Sequence, residues 1–278
     1  MSAQPATAQG PSEIRNTAAR PGPRLRNLLV EIWLPVLAFA GWWAASANSQ
    51  SIYFPPLQKI VGRMGELLTT RFQSDLGPSL QNFGTGLLIA VVLGIGAGLA
   101  LGLLPRLYTA LQPILEFLRA VPGVAILPVM LFIFGIGPSM KVAVIAFGAL
   151  WPILLNTVDG IRGVDGLVRE VSRSYRLRPA DHIFRVLLPA ASPQIISGIR
   201  LSVSLGVILI VASEYIASTE GIGYVELQSS RLFQMDTMWA ALLILGVLGY
   251  AVNVLFRFVE HIVLRWHRGA RGSQGGQS

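Results

Sequence analysis

The chain has 278 residues, of which 53% are hydrophobic and only 13% charged, with a net charge of +8 and no cysteine. Soluble domains carry roughly a quarter charged residues, so this balance argues against a large soluble core. The missing cysteines exclude disulfides, thiolate metal sites and cysteine nucleophiles, and the positive charge reads as Arg-rich cytoplasmic loops, not as a nucleic-acid surface.

Residues 1–27 are rich in Ala, Pro, Gly and Ser and carry Arg15, Arg20, Arg24 and Arg26. They are expected to form a disordered basic cytoplasmic tail, too long and polar for the n-region of a signal peptide. Six apolar segments then have the length a bilayer requires. They run from about Leu28 to Ala45, Gly84 to Leu104, Leu111 to Ile136, Met140 to Val158, Gln194 to Tyr215 and Thr237 to Phe258. The third is interrupted by Pro122, Gly123 and Pro128. The expected fold class is therefore an all-α integral membrane protein with six transmembrane helices. Between the first two spans, Leu57, Ile60, Val61, Met64, Leu67, Leu68 and Phe72 have amphipathic helical spacing. This predicts a helix lying on the outer membrane surface. In the second span, Gly94, Gly98 and Gly102 recur every four residues, a groove for close helix approach.

Basic residues set the orientation. With the N-terminus inside, fourteen of the 22 fall in cytoplasmic segments and five outside. Both termini are thus expected in the cytoplasm, with residues 267–278 a flexible tail.

The cytoplasmic segment at about 165–192 is the most informative. Val168, Val171 and Tyr175 share one helical face, and Arg169, Arg173 and Arg176 another. A turn follows at Leu177-Arg178-Pro179, then a second short helix expected to be capped by Asp181 and to stop at Pro189. It carries Ile183, Phe184, Leu187 and Leu188. This stretch resembles the "EAA" loop of binding-protein-dependent ABC importer permeases. Their pattern is Glu-Ala-Ala, a Gly shortly after, and an Ile/Leu-x-Leu-Pro ending. Here Glu170 holds the acidic position, Val171 and Ser172 replace the alanines, Arg176 replaces the glycine, and Val186-Leu187-Leu188-Pro189 closes the motif. Residues 118–138, 148–165 and 214–225 are similar to the branch that imports nitrate, taurine and aliphatic sulfonates. The likeness covers roughly residues 28–266.

That resemblance implies a type I ABC importer permease fold, in a bacterial cytoplasmic (inner) membrane. It implies a multi-pass, non-catalytic subunit coupled to a separate cytoplasmic ABC ATPase, which would bind ATP and Mg. An extracytoplasmic solute-binding protein would deliver the solute, and a second copy of the chain would complete the pathway across the lipid bilayer. The implied ATPase-coupling residues are Glu170, Val171, Ser174, Arg176, Pro179, Asp181, Phe184, Leu187, Leu188 and Pro189. Independently, a P-loop needs Gly-Lys followed by Ser or Thr, and the chain's two lysines, Lys59 and Lys141, follow Gln58 and Met140.

Charged groups within spans usually face a partner or water. The candidate pathway residues are Arg119, Pro122, Pro128, Arg200, Ser204 and Glu214. Arg119 or Arg200 would contact an anionic solute; the competing reading is pairing with Glu116 or snorkelling to the cytoplasm. Glu214 would sit at the outer mouth. The histidines, His182, His261 and His267, form no metal motif, and no cofactor is expected in the chain itself. The alternative function is an ion-gradient-driven secondary transporter or channel, which would require membrane-embedded carboxylates and an inverted repeat.

Overall fold

The computed structural model describes residues 24–265. The tail expected at 267–278 and residues 1–23 lie outside the described residues; residues 24–27 already belong to the first helix, α1 (Arg24–Ser46). Within the described residues the regular elements are helical. After α1 come α2 (Leu57–Thr70), α3 (Gly77–Leu103), α4 (Pro105–Ala120), α5 (Leu127–Phe134), α6 (Pro138–Arg162), α7 (Gly166–Ser174), α8 (Pro179–Asp181), α9 (Leu188–Ile216), α10 (Ile222–Arg231) and α11 (Met235–Val263).

Helix α6 is the centre of the molecule. Its Met140, Val144, Ile145, Ala149, Ile153, Val158 and Ile161 are fully buried. One side fits into a stripe of small residues on α3, spaced by four: Gly86, Ala90, Gly94, Gly98 and Gly102. A Cβ added to Gly98 would lie 2.5 Å from Thr157 Cβ, and one added to Gly94 would lie 2.8 Å from Ile153 Cγ2. The β-branched side chains of α6 therefore fill the groove expected from the glycines, and the stripe is longer than expected. The other side of α6 takes α9. There a Cβ on Gly198 would lie 2.7 Å from the Pro152 carbonyl oxygen, and Ser202 Oγ donates to the Ala149 carbonyl at 2.6 Å. Small residues matter here because lipid supplies no hydrophobic drive between helices; dispersion and interhelical hydrogen bonds must hold them.

Among the described residues, four helical stretches are long and apolar enough to cross a membrane: Phe72–Leu103, Pro138–Arg162, Pro179–Ile216 and Met235–Val263. The expected third span is bent by 87° between α4 and the Gly123–Phe134 segment, so it is not one straight crossing. Val121 precedes Pro122 and is pushed to an extended conformation. Pro128 sits in the first turn of α5, where its missing N–H is not needed. Counted as one span, this pair is the fifth. The sixth expected segment falls in α1, which is 23 residues long.

Two other expectations differ. The chain does not break at Pro189. A π turn at His182–Leu187 runs directly into α9, with Pro189 in its first turn. Wide i→i+5 geometry at that point avoids the clash a proline ring makes with the carbonyl four residues back. The same device, a π turn at Phe72–Leu76, introduces α3 just before Pro78. Helix α2 also does more than lie on a membrane surface. Its Leu57, Ile60 and Leu67 are buried with Ile222, Val225, Ala240, Ala241 and Ile244 of α10 and α11. Arg63 Nε donates to Thr237 Oγ1 at 3.1 Å, fixing the seat.

Candidate coupling surface and transport cleft

The segment after α6 is held by a short series of polar contacts. Asp165 Oδ1 accepts the Leu167 N–H at 2.9 Å and so caps α7. Arg169 reaches back to the carbonyls of Ile161 and Arg162 in the last turn of α6. At the far end of α7, Arg176 takes φ +48°, and the Leu177 N–H bonds the Ser172 carbonyl at 3.4 Å. This is the glycine-type helix stop, with arginine in the left-handed position. Ser172 is buried, and its Oγ lies 2.9 Å from His182 Nδ1, joining α7 to the turn after α8.

Once anchored, the segment shows apolar groups to the outside. Leu167, Val168, Val171, Tyr175 and Leu177 are all exposed. With Ser172 and Val186 they line an open apolar hollow of about 510 Å³. Glu170, Ser174, Arg176 and Pro179 are also exposed. Phe184 is 67% exposed, whereas Leu187 is 1% exposed and packs with Ile161, Val164, Ala191 and Ile195. Leu188 and Pro189 are half-buried. Asp181 is not a cap: α8 begins at Pro179 after Arg178, and Asp181 instead pairs with Arg185 at 3.1 Å.

The pathway candidates do not gather in one place. Arg119 and Pro122 line a cleft of about 380 Å³ at the α4–α5 break, walled by Gly148, Trp151, Leu155, Leu205 and Ile208. Leu209 reaches between Gly123 and Gly148, which have no room for side chains there: a Cβ would lie 3.1 Å and 2.3 Å from its methyls. Pro128 is exposed outside this lining. Arg200 pairs with Glu260 of α11, not with Glu116. Ser204 Oγ lies 3.3 Å from Asn253 Oδ1. Glu214 is 1% exposed. It accepts bonds from Ser79 Oγ at 2.5 Å and from the Gly223 N–H at 2.8 Å. Gly221, at φ +112°, lies against its carboxylate, where a Cβ would come within 2.3 Å. Asp75 accepts the Gly221 N–H beside it at 3.0 Å, and Lys141, buried on α6, donates to the Glu220 carbonyl at 3.1 Å. Glu214 thus ties α3, α9 and the turn before α10 together.

The sequence matches the family described as binding-protein-dependent transport system inner membrane component over residues 90–265. The chain belongs to that family. Several curated relatives match over most of both chains. The putative aliphatic sulfonates transport permease SsuC of Bacillus subtilis is 29% identical, over 91% of this chain and 93% of that one. The taurine transport permease TauC of Escherichia coli is 27% identical, over 88% and 92%. The nitrate import permease NrtB of Leptolyngbya laminosa is 32% identical, over 81% and 84%. Among solved structures, a chain of the inward-facing MetNI methionine ABC transporter aligns with a TM-score of 0.60 at 18% identity, over 71% of this chain and 98% of that chain. That likeness gives the fold, the type I ABC importer permease fold. The chain is an inner-membrane, multi-pass, non-catalytic ABC importer permease.

Several residues that shape the permease's coupling segment escaped sequence reasoning. Asp165 carried a signal that was missed, since an Asp two residues before an amphipathic run marks a cap. Arg169 and the Ser172–His182 contact carried none, because their partners lie on another element or past a turn.

Proposed function

We propose that one copy of this permease supplies half of a translocation pathway, completed by a second copy, for a small solute such as a sulfonate, taurine or nitrate. The α7–α8 segment docks a separate cytoplasmic ABC ATPase, which binds ATP and Mg and drives the conformational cycle. A solute-binding protein delivers cargo at the opposite side of the lipid bilayer, and both termini lie in the cytoplasm. The relatives named above support the solute class. The observation that carries the docking reading is the apolar hollow of Val168, Val171 and Tyr175, with Phe184 also exposed, on a segment that is itself tightly anchored. An exposed apolar patch rimmed by arginines is a protein-docking surface more than a solvated loop.

Phe184 and Leu187 separate docking from folding. Phe184→Asp is expected to lower recovery of the ATPase with the tagged chain at least about ten-fold, as loss of a central aromatic anchor does, while membrane levels of the chain hold. Leu187→Asp places a carboxylate in a closed apolar site and is expected to lower the amount of folded chain itself. Full ATPase recovery with Phe184→Asp would contradict the docking assignment.

A further inference from the structure

We propose that the cleft at the α4–α5 break is a solute-recognition site within the permease, selective for a monoanion that carries a short apolar tail. This rests on the permease reading above and adds a substrate class to it. Among the described residues, Arg119 is the one charged residue that lines the cleft. It has no ion-pair partner among the described residues. The nearest carboxylate on its helix, Glu116, accepts a hydrogen bond from Gln112 at 3.0 Å and does not line the cleft. The contrast with Arg200, which is neutralised by Glu260, is direct. Arg119 is exposed to this cleft, so its charge is open to an anion entering there, and its planar fork suits the oxygens of a sulfonate or carboxylate.

The rest of the lining sets the tail. Leu155, Leu205 and Ile208 give an apolar wall, and the volume of about 380 Å³ lies in the range of small-ligand pockets. Trp151 also lines the cleft, and its Nε1–H is enclosed without an acceptor, a donor that a bound oxyanion satisfies after a small rotation of the ring. The lining holds no carboxylate for an ammonium group. A zwitterion such as taurine therefore pays for its cationic end. A bare inorganic ion such as nitrate leaves the apolar wall unused.

The test titrates butane-1-sulfonate, taurine and sodium nitrate into the full chain in lipid nanodiscs, with the ATPase that co-purifies and without a solute-binding protein, by isothermal calorimetry. Saturable binding of butane-1-sulfonate, at least about ten-fold tighter than taurine or nitrate, is the expected result. Arg119→Gln should remove it and Arg119→Lys should retain part of it. No saturable binding to the wild-type chain, equal affinity in Arg119→Gln, or taurine or nitrate binding as tightly would each overturn the site. Should Arg119→Gln not assemble, the ligand series on the wild-type chain decides alone. Whether the ATPase co-purifies is read separately, so the permease's coupling and this cleft can fail independently.

Discussion

Arg176 stands where the family's pattern has a glycine, and the backbone there keeps the left-handed turn at φ +48°. For a residue with a Cβ that conformation costs roughly 1–2 kcal/mol. Arg176→Gly is therefore expected to stabilise the permease by about 1 kcal/mol, read as a rise in melting temperature of about 2 °C. A fall would mean that the arginine side chain makes contacts worth more than the strain. The position was legible by its place in the motif, but its conformation was not, since a non-glycine residue gives no local signal for a left-handed turn. Phe233, at φ +57° after α10, was unreadable for the same reason. Glu214 was singled out from the sequence as a pathway group. Its carboxylate is closed in by Gly221 and Gly223, because the Gly-Ile-Gly turn folds back onto α9, a long-range contact with no signature in local spacing.

Among the elements, the α3–α6 contact was the most legible, because four-residue glycine spacing on a membrane helix favours close helix packing. It also gives a sharp contrast. Gly98→Ala forces a methyl onto Thr157 and is expected to destabilise by about 1–3 kcal/mol. Gly96→Ala meets open space and is expected to be neutral or slightly stabilising. Thermal unfolding of both variants in the same detergent checks the pair; equal effects would mean that α3 does not pack through this stripe. Elsewhere, local rules lost to tertiary ones. Pro189 is normally a stop signal, but a π turn absorbed it. The third span kept its apolar length but not its straightness, since Val121-Pro122 dictates an extended link. For α2, amphipathic spacing specified an apolar face correctly but could not say whether lipid or α11 would cover it.

At the scale of the whole molecule, one helix joins the proposed docking surface to the proposed solute cleft. The middle of α6 carries Gly148 and Trp151 into the cleft, and its last turn holds Arg169 of the α7 segment. On the proposed docking, a push on α7 would reach the same helix that walls the cleft. Composition and charge segregation made the membrane class legible, and the order of motifs made the family legible. The cleft was not legible as a site, since Arg119 and Arg200 look alike in sequence and differ only in whether a carboxylate from another helix reaches them.

The most direct test of this account is co-purification of the tagged full chain from membranes, followed by mass spectrometry of what accompanies it. The prediction is recovery of a P-loop ATPase with the wild-type chain, and its loss when Val168, Val171 and Tyr175 are all replaced by Asp while the chain itself remains in the membrane. A chain that purifies alone, and still transports in vesicles lacking ATP, would contradict it and point to a gradient-driven carrier.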